Sequence, residues 1–145
     1  MAYNPPPENT HASLVEAMNK MDGVEFDLRL TADNQIVIHH DHEVSIPENL
    51  LEGRSKNVED WELSELEDIG FCSFEKLMAD KEWLIPWQEH SKVACLEIKR
   101  SLPSISKDST NRMAKVMKIA TQMIEEAGIP HQSALFYAYH RPCLL

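Results

Sequence analysis

The sequence predicts an α/β protein with a parallel β-sheet, and its second half shows this most clearly. Residues 93–99, VACLEIK, are apolar on both faces until Glu97, as expected of a strand inside a parallel sheet. Residues 109–127 repeat apolar side chains at spacings of three and four, and Gly128 ends that helix. Residues 133–139, SALFYAY, form another apolar strand. The order strand, helix, strand indicates a right-handed βαβ unit.

The composition is that of one ordinary globular domain with an acidic balance. A chain of 145 residues suffices for such a domain. The formal net charge of −10 argues against a nucleic-acid partner. The three cysteines are widely spaced and form no disulfide framework, so we expect a reducing, cytoplasmic setting. No apolar run is long enough for a transmembrane helix, and the N-terminus lacks a signal-peptide core.

The first predicted element is a helix that begins near residue 10. Asn9 or Thr10 can cap its N-terminus, and Ser13 with Glu16 repeats the spacing of a capping box. Apolar residues then recur at helical spacing as far as Met21. This pattern is typical of a helix that packs one face against a core.

Residues 22–41, DGVEFDLRLTADNQIVIHHD, predict a β-hairpin. Apolar and polar residues alternate in its first half, and a β-branched run follows a turn at Asp33-Asn34. If the chain reverses tightly at this turn, the numbers of paired residues sum to 67. Asp27 then lies opposite His40, and Glu25 lies opposite His42.

This hairpin carries residue types suited to metal and proton chemistry. Two carboxylates on one strand face, Glu25 and Asp27, can hold a hard divalent cation, and a nearby histidine can move protons near neutral pH. The alternative interpretation is that Glu25, Asp27 and Arg29 form the solvated face of a strand. For Glu97 and Lys99 the corresponding alternative is a solvated ion pair at a strand end.

Between the hairpin and the strand at 93–99, the segment from about 43 to 90 looks like an insertion. Its first part has no clear period and contains Pro47 and Gly53. Short helices are predicted to begin near Ser64 and at Ser73. We expect the three tryptophans to be packing residues, because aromatic side chains mostly supply buried area.

Four motifs in order resemble the glycerophosphodiester phosphodiesterase family. They are PENT at 7–10 before a helix, DGVEFDLRLT at 22–31, IVIHHD at 36–41 and LEIK at 96–99. The stretch NVEDWELSELEDI adds to the resemblance. The resemblance implies a (β/α)₈ barrel with its site at the carboxyl ends of the strands. Related barrel phospholipases remain open, as does an unrelated small α/β protein.

The resemblance also implies a reaction and a role for each motif residue. The family hydrolyses glycerophosphodiesters to glycerol 3-phosphate and an alcohol, usually with a divalent metal such as Mg²⁺ or Ca²⁺. Glu25, Asp27 and Glu97 match its metal-binding carboxylates. Lys99 matches the cation that contacts the phosphate, and His40 matches one of two acid/base histidines. A glycerol hydroxyl attacks first in such enzymes, and water then opens the cyclic phosphate.

The sequence also departs from the family pattern. The strand ending in His-Arg-Gly that precedes PENT is absent, and with it the second acid/base histidine and a phosphate-binding arginine. Pro142, not glycine, follows His140-Arg141, which argues against a replacement pair. His39 and His42 lie outside the motif.

Residues 1–145 are therefore predicted to be one partial domain of this family, truncated at both ends. A full barrel takes about 250 residues, and about strands two to five of eight are expected here. We expect self-association or a complementary chain to cover the open strand edges. A catalytically inactive metal-binding or interaction remnant is the alternative function.

Overall fold

The fold is organised around one five-stranded sheet. The structure is a computed structural model that describes residues 4–89, 91–101 and 108–139, so His140 and Arg141 lie outside it. The strands are β1 Gly23–Leu30, β2 Ile36–Ile38, β3 Cys72–Ser73, β4 Val93–Ile98 and β5 Ala134–Tyr137. They lie in the order β3-β2-β1-β4-β5. β1, β4 and β5 run parallel, whereas β2 and β3 pair antiparallel, and the predicted α/β class with a parallel βαβ unit is confirmed.

Five α-helices within the described residues complete the fold, and the starts of α1 and α3 follow the predicted signals. They are α1 His11–Lys20, α2 Leu63–Asp68, α3 Phe74–Ala79, α4 Lys81–Glu89 and α5 Ser109–Glu126. Thr10 caps α1 and forms its capping box with Ser13, so the box lies three residues earlier than predicted. Ser73 caps α3 as predicted. None of the helices within the described ranges has the length and apolar character needed to cross a lipid bilayer.

The main core lies between one face of the sheet and the helices. Phe26 of β1 is fully buried, and its ring meets the Trp83 ring edge-on at a centroid distance of 5.6 Å. Trp87 packs against Trp83, and its indole N–H donates to the Ser133 carbonyl at 2.8 Å. The prediction that the tryptophans are packing residues is confirmed, since Trp61 is also buried in the second cluster.

A second apolar cluster lies on the other face of the sheet. It is built around Val37 of β2 by residues from the chain between β2 and β3: Val44, Leu51, Val58, Trp61, Leu63 and Leu66. The start of the predicted insertion therefore has its own small core. Because Trp61 O accepts from Ala32 N at 2.9 Å, this cluster is joined to the hairpin turn.

The hairpin register differs from the prediction by one residue. Leu28 pairs with Ile38 and Leu30 with Ile36, so the pair numbers sum to 66. Thr31 N donates to Gln35 O at 2.9 Å, which closes a three-residue loop with Asn34 at φ 59°. The predicted register is therefore wrong, because a three-residue loop replaces the tight two-residue turn.

This shift changes what lies opposite the carboxylates. His39 N donates to Asp27 O at 3.1 Å, so His39, not His40, is the cross-strand neighbour of Asp27. By the same count Glu25 does not lie opposite His42. His40 instead reaches the site from the loop that follows β2, without pairing with β1.

The alternative interpretation, a solvated polar face of β1, holds for Glu25, which is exposed, but is wrong for Asp27 and Arg29, which are buried. Asp27, Arg29 and Thr31 are 4%, 2% and 0% exposed. Segments before α1, after β2 and before α2 cover this face. Buried polar groups are costly unless they are paired, so these side chains must have specific partners.

Candidate active site

Three carboxylates converge on one face of two parallel strands, two from within β1 and one from near the end of β4. The β1–β4 register pairs Asp27 with Glu97, and Glu25 lies two residues earlier on the same face of β1. One oxygen of each carboxylate lies within 4.8 Å of the others. Asp27 and Glu97 are buried, whereas Glu25 is exposed. Like charges this close repel each other, so the cluster needs compensating positive charge.

Lys99 supplies part of that compensation. Its Nζ lies 3.2 Å from Asp27 Oδ1 and 2.9 Å from Glu97 Oε1. Burial works to lower the pKa of Lys99, but its contacts with Glu97 and Asp27 outweigh this and hold the pKa above its usual value. The side chain is therefore a cation throughout the physiological range.

Asn9 holds Asp27 in place. Its Nδ2 donates to Asp27 Oδ2 at 3.0 Å, and its Oδ1 accepts from Asp27 N at 3.4 Å. Asn9 adopts φ 54°, a left-handed conformation that asparagine tolerates better than most residues. From the sequence, Asn9 was predicted only as a possible helix cap and as part of the PENT motif. Its place in that motif was the one indication of a role at the site.

Tyr137 reaches the cluster from β5. Its hydroxyl donates to Glu25 Oε1 at 2.8 Å and lies 3.4 Å from Glu97 Oε2. Burial, and then the hydrogen bond and charge of Glu25, raise the pKa of Tyr137, so the phenol stays protonated. Sequence reasoning missed this residue, although its place at the end of a parallel strand beside β4 could have revealed it.

The cluster has the donor set of a divalent-cation site. Asp27 Oδ1 is buried, contacts the Lys99 ammonium and makes no hydrogen bond with suitable geometry. Hard cations such as Mg²⁺ and Ca²⁺ prefer carboxylate oxygens. Glu25, Asp27 and Glu97 therefore fit the metal ion that the resemblance implies.

His40 lies on an exposed loop next to this cluster. Its Nδ1 is 2.8 Å from Asp41 Oδ1, and both side chains are 66% exposed. The hydrogen bond from His40 lowers the pKa of Asp41. Because the ionised Asp41 accepts from Nδ1, the other ring nitrogen of His40 is left to exchange a proton.

Arg29 anchors the loop that carries His40. Its guanidinium donates to the His40 carbonyl at 2.6 Å and to His42 Nδ1 at 3.3 Å. Burial and the Arg29 charge lower the pKa of His42, which keeps that ring neutral and able to accept. His39 packs on Phe71 at a ring distance of 4.4 Å. Sequence reasoning considered Arg29 only as part of the alternative, solvated strand face, and so missed this contact.

Two adjoining cavities open onto these residues. The acidic cavity, about 430 Å³, is lined by Glu8, Asn9, Glu25, Asp27 and Tyr137 among others. The basic cavity, about 340 Å³, is lined by Arg29, Asp41, His42, Ile98, Lys99 and Arg100. Both cavities include His40, Glu97 and Tyr139. The predicted residues Glu25, Asp27, His40, Glu97 and Lys99 are thus brought together in one site.

Comparisons with known proteins agree on one family. The sequence matches the model of the glycerophosphoryl diester phosphodiesterase family over residues 2–133. No curated protein matches the chain. The structure is similar to a glycerophosphodiester phosphodiesterase from Thermotoga maritima, with 19% identity and a TM-score of 0.62, over 96% of this chain and 51% of that one.

Two further solved structures show the same likeness. For a glycerophosphodiester phosphodiesterase from Parabacteroides distasonis, the identity is 19% and the TM-score 0.65, over 94% of this chain and 51% of that one. For an Oleispira antarctica phosphodiesterase in complex with the product sn-glycerol-3-phosphate, the values are 19% and 0.66, over 95% and 54%. The chain therefore spans about half the length of the structures it matches.

Proposed function

The chain belongs to the glycerophosphoryl diester phosphodiesterase family, and we propose that its site hydrolyses glycerophosphodiesters to glycerol 3-phosphate and an alcohol. The observation that carries this proposal is the convergence of Glu25, Asp27 and Glu97 within 4.8 Å, beside Lys99. The structural neighbour from Oleispira antarctica holds glycerol 3-phosphate as its product, which supports the same substrate class.

The three carboxylates would hold Mg²⁺ or Ca²⁺. Such an ion, when bound, polarises a phosphoryl oxygen and offsets the charge of the carboxylates. Asn9 and Tyr137 keep the carboxylates oriented through the hydrogen bonds described above. This support matters because carboxylates that are fixed in place lose less conformational freedom when the ion binds.

Lys99 and His40 would act on the substrate. The Lys99 ammonium, held 2.9 Å from Glu97, can stabilise negative charge that develops on the phosphate. His40, oriented by Asp41, can take the proton of the attacking glycerol hydroxyl at Nε2 and return it in a later step. The glycerol hydroxyl would attack phosphorus first, the bond from phosphorus to the other alcohol would break, and that alcohol would leave with a proton. Water would then open the resulting cyclic phosphate to give glycerol 3-phosphate.

Turnover would require groups that these 145 residues lack. The His-Arg-Gly motif does not occur in these 145 residues, so a second acid/base group and a phosphate-binding arginine would have to come from outside them. The same observation favours a second candidate function, in which the site binds a metal and a phosphate ester without turnover.

Metal binding is tested by thermal unfolding with and without Mg²⁺ or Ca²⁺. An ion at 100 times its dissociation constant should add about 2.7 kcal/mol to the free energy of unfolding. We expect this gain in the unsubstituted chain and its loss in Glu25→Gln/Asp27→Asn. Glu125→Gln removes an exposed carboxylate from α5 and should keep the gain. A transition that does not respond to either metal would contradict the proposed metal site.

Hydrolysis is tested by release of glycerol 3-phosphate from glycerophosphodiesters at several protein concentrations. We expect release that is abolished in His40→Ala. If the metal-dependent gain is present but no glycerol 3-phosphate is released in any associated form, the binding function without turnover is the correct one.

A further inference from the structure

Charged side chains are sorted between the two cavities of the site. Four carboxylates line the acidic cavity, and no lysine or arginine of the described residues lines it. Arg29, Lys99 and Arg100 line the basic cavity. His40 and Glu97 lie at the boundary between the two. A ligand that crosses this boundary therefore has carboxylates around one end and cationic side chains around the other.

The position of the carboxylates decides which end of a diester lies in which cavity, a step that rests on the proposed function. A cation at Glu25, Asp27 and Glu97 would also attract the hydroxyl oxygens of glycerol, so the glycerol end belongs in the acidic cavity. The phosphate then lies beside Lys99, which forms the wall of the basic cavity. The second substituent of the phosphate extends past Lys99 into that cavity.

The charges of the basic cavity are not all compensated. Glu97 is 2.9 Å from Lys99, and Asp41 is 2.8 Å from His40, so both acidic groups of this cavity already have partners. Arg100 is exposed, and no carboxylate of the described residues pairs with its guanidinium. Its backbone carbonyl accepts from the Arg29 guanidinium at 3.5 Å.

We propose that the basic cavity binds the alcohol half of the diester and favours an alcohol that carries a carboxylate or a phosphate. Arg100 recognises this group, because a guanidinium can bind either anion through two parallel hydrogen bonds. A quaternary ammonium group would meet like charge from Arg100 and would offer it no hydrogen-bond acceptor.

The test compares two phosphate esters that lack glycerol, O-phosphoserine and phosphocholine, so that neither can be consumed by attack of a glycerol hydroxyl. Their dissociation constants are measured by calorimetry in the presence of Mg²⁺. We expect tighter binding of O-phosphoserine. Arg100→Gln should weaken that binding by about three- to tenfold and leave phosphocholine within about twofold, as expected for a partly exposed charge pair.

Lys118→Gln is the matched control, because it removes the same charge from an exposed position on α5. It should leave both dissociation constants unchanged. If Lys118→Gln weakened binding of O-phosphoserine as much as Arg100→Gln does, the effect would come from net charge alone, and the proposal would be overturned. The proposal would also be overturned if Arg100→Gln weakened the binding of both probes equally or of neither. The same holds if neither probe binds to the unsubstituted chain. If the preference for O-phosphoserine persists while no diester is hydrolysed, the proposed hydrolysis fails and the selectivity stands.

Discussion

At the scale of single residues, Arg29 shows how burial changes the meaning of a charge. It is 2% exposed, and its guanidinium donates to the His40 carbonyl and to His42. The charge of the buried Glu59, whose Oε1 accepts from Ser101 at 2.8 Å, opposes the cost of burying Arg29. Arg29 therefore links the loop of His40 to the interior of the domain.

Replacing Arg29 should destabilise the domain and loosen that loop. We expect Arg29→Gln to lower the free energy of unfolding by about 2–4 kcal/mol, because it removes the charged donor of these hydrogen bonds and leaves the buried Glu59 carboxylate without that neighbouring positive charge. Denaturation in urea measures the loss, and hydrogen exchange measures opening at 39–43. Arg54→Gln, at a partly exposed arginine that lies over Trp61, should cost less than about 1 kcal/mol. Equal stabilities of the two variants would contradict this role.

The His39 ring should make stability depend on pH. Burial lowers the pKa of His39 below its usual value, and its Nε2 can donate to Glu43 O at 3.1 Å when the ring is neutral. The unfolded chain then binds a proton at higher pH than the folded chain. Stability should be complete above the unfolded pKa, about 6.5, and decrease as the pH falls from there toward the folded pKa.

His39→Phe keeps a ring against Phe71 but removes the titrating group. Urea denaturation at pH 7.5 and pH 5.5 should show a smaller loss of stability at low pH in this variant. His131→Asn, at an exposed histidine, should lose as much stability between pH 7.5 and pH 5.5 as the unsubstituted chain. An unchanged pH dependence in His39→Phe would exclude His39 as its source.

At the scale of elements, the hairpin turn fixes the register of β1 and β2. Thr31 and Gln35 close a three-residue loop, and Asn34 occupies its left-handed position at φ 59°. A two-residue turn would move every side chain of β2 to the opposite face. Val37 would then leave the second cluster, so the turn and the packing of 43–71 favour the same register.

Substitutions at Asn34 should separate backbone conformation from side-chain contacts. Asn34→Ala keeps a Cβ at this left-handed position but removes the polar side chain that makes the conformation tolerable. We expect the free energy of unfolding to fall by about 1 kcal/mol. Asn34→Gly also loses the Lys115 contact at 3.2 Å but adopts this φ freely, so it should be close to neutral. Thermal or urea unfolding of both variants measures these changes in stability. Equal losses would show that the side-chain contact, not the backbone, matters.

At the scale of the whole molecule, the sheet formed by the described residues has an unpaired edge at β5 and exposed apolar side chains beside it. β5 is an edge strand in the described residues. On the face that carries Tyr137, Leu135 is 55% exposed, and the nearby Tyr139 is 89% exposed. Exposed strand edges with apolar side chains are common templates for pairing with another chain. This surface is where we expect a second copy or a complementary chain to bind.

Sedimentation equilibrium at a series of concentrations tests this expectation. We expect association of the unsubstituted chain, weakened at least about tenfold by Leu135→Lys, since charge on an edge strand opposes pairing. Ile85→Lys, at a 43% exposed apolar residue of α4 on the helix side, should leave association unchanged. Equal effects of the two lysines would place the interface elsewhere, and a monomer at all concentrations would exclude self-association.

Local patterns in the sequence determined the α/β class, the caps of α1 and α3, and the residues that now form the site. Apolar spacing, caps and short motifs depend on neighbours within a few residues, so they are readable without a fold. The motif order also predicted the family. These features place Glu25, Asp27, Glu97, Lys99 and His40 on the elements where the structure has them.

Only the tertiary structure decided how those elements meet. The sequence could not fix the hairpin register, the burial of Arg29, or the contacts of Asn9 and Tyr137 with the carboxylates. Tyr137 and Glu25 are 112 residues apart in the chain. Such contacts depend on how strands pair and which segments cover a face, and hydrophobic patterning within one strand does not specify either. Register and burial are properties of the packed molecule, because they are set by partners from distant parts of the chain.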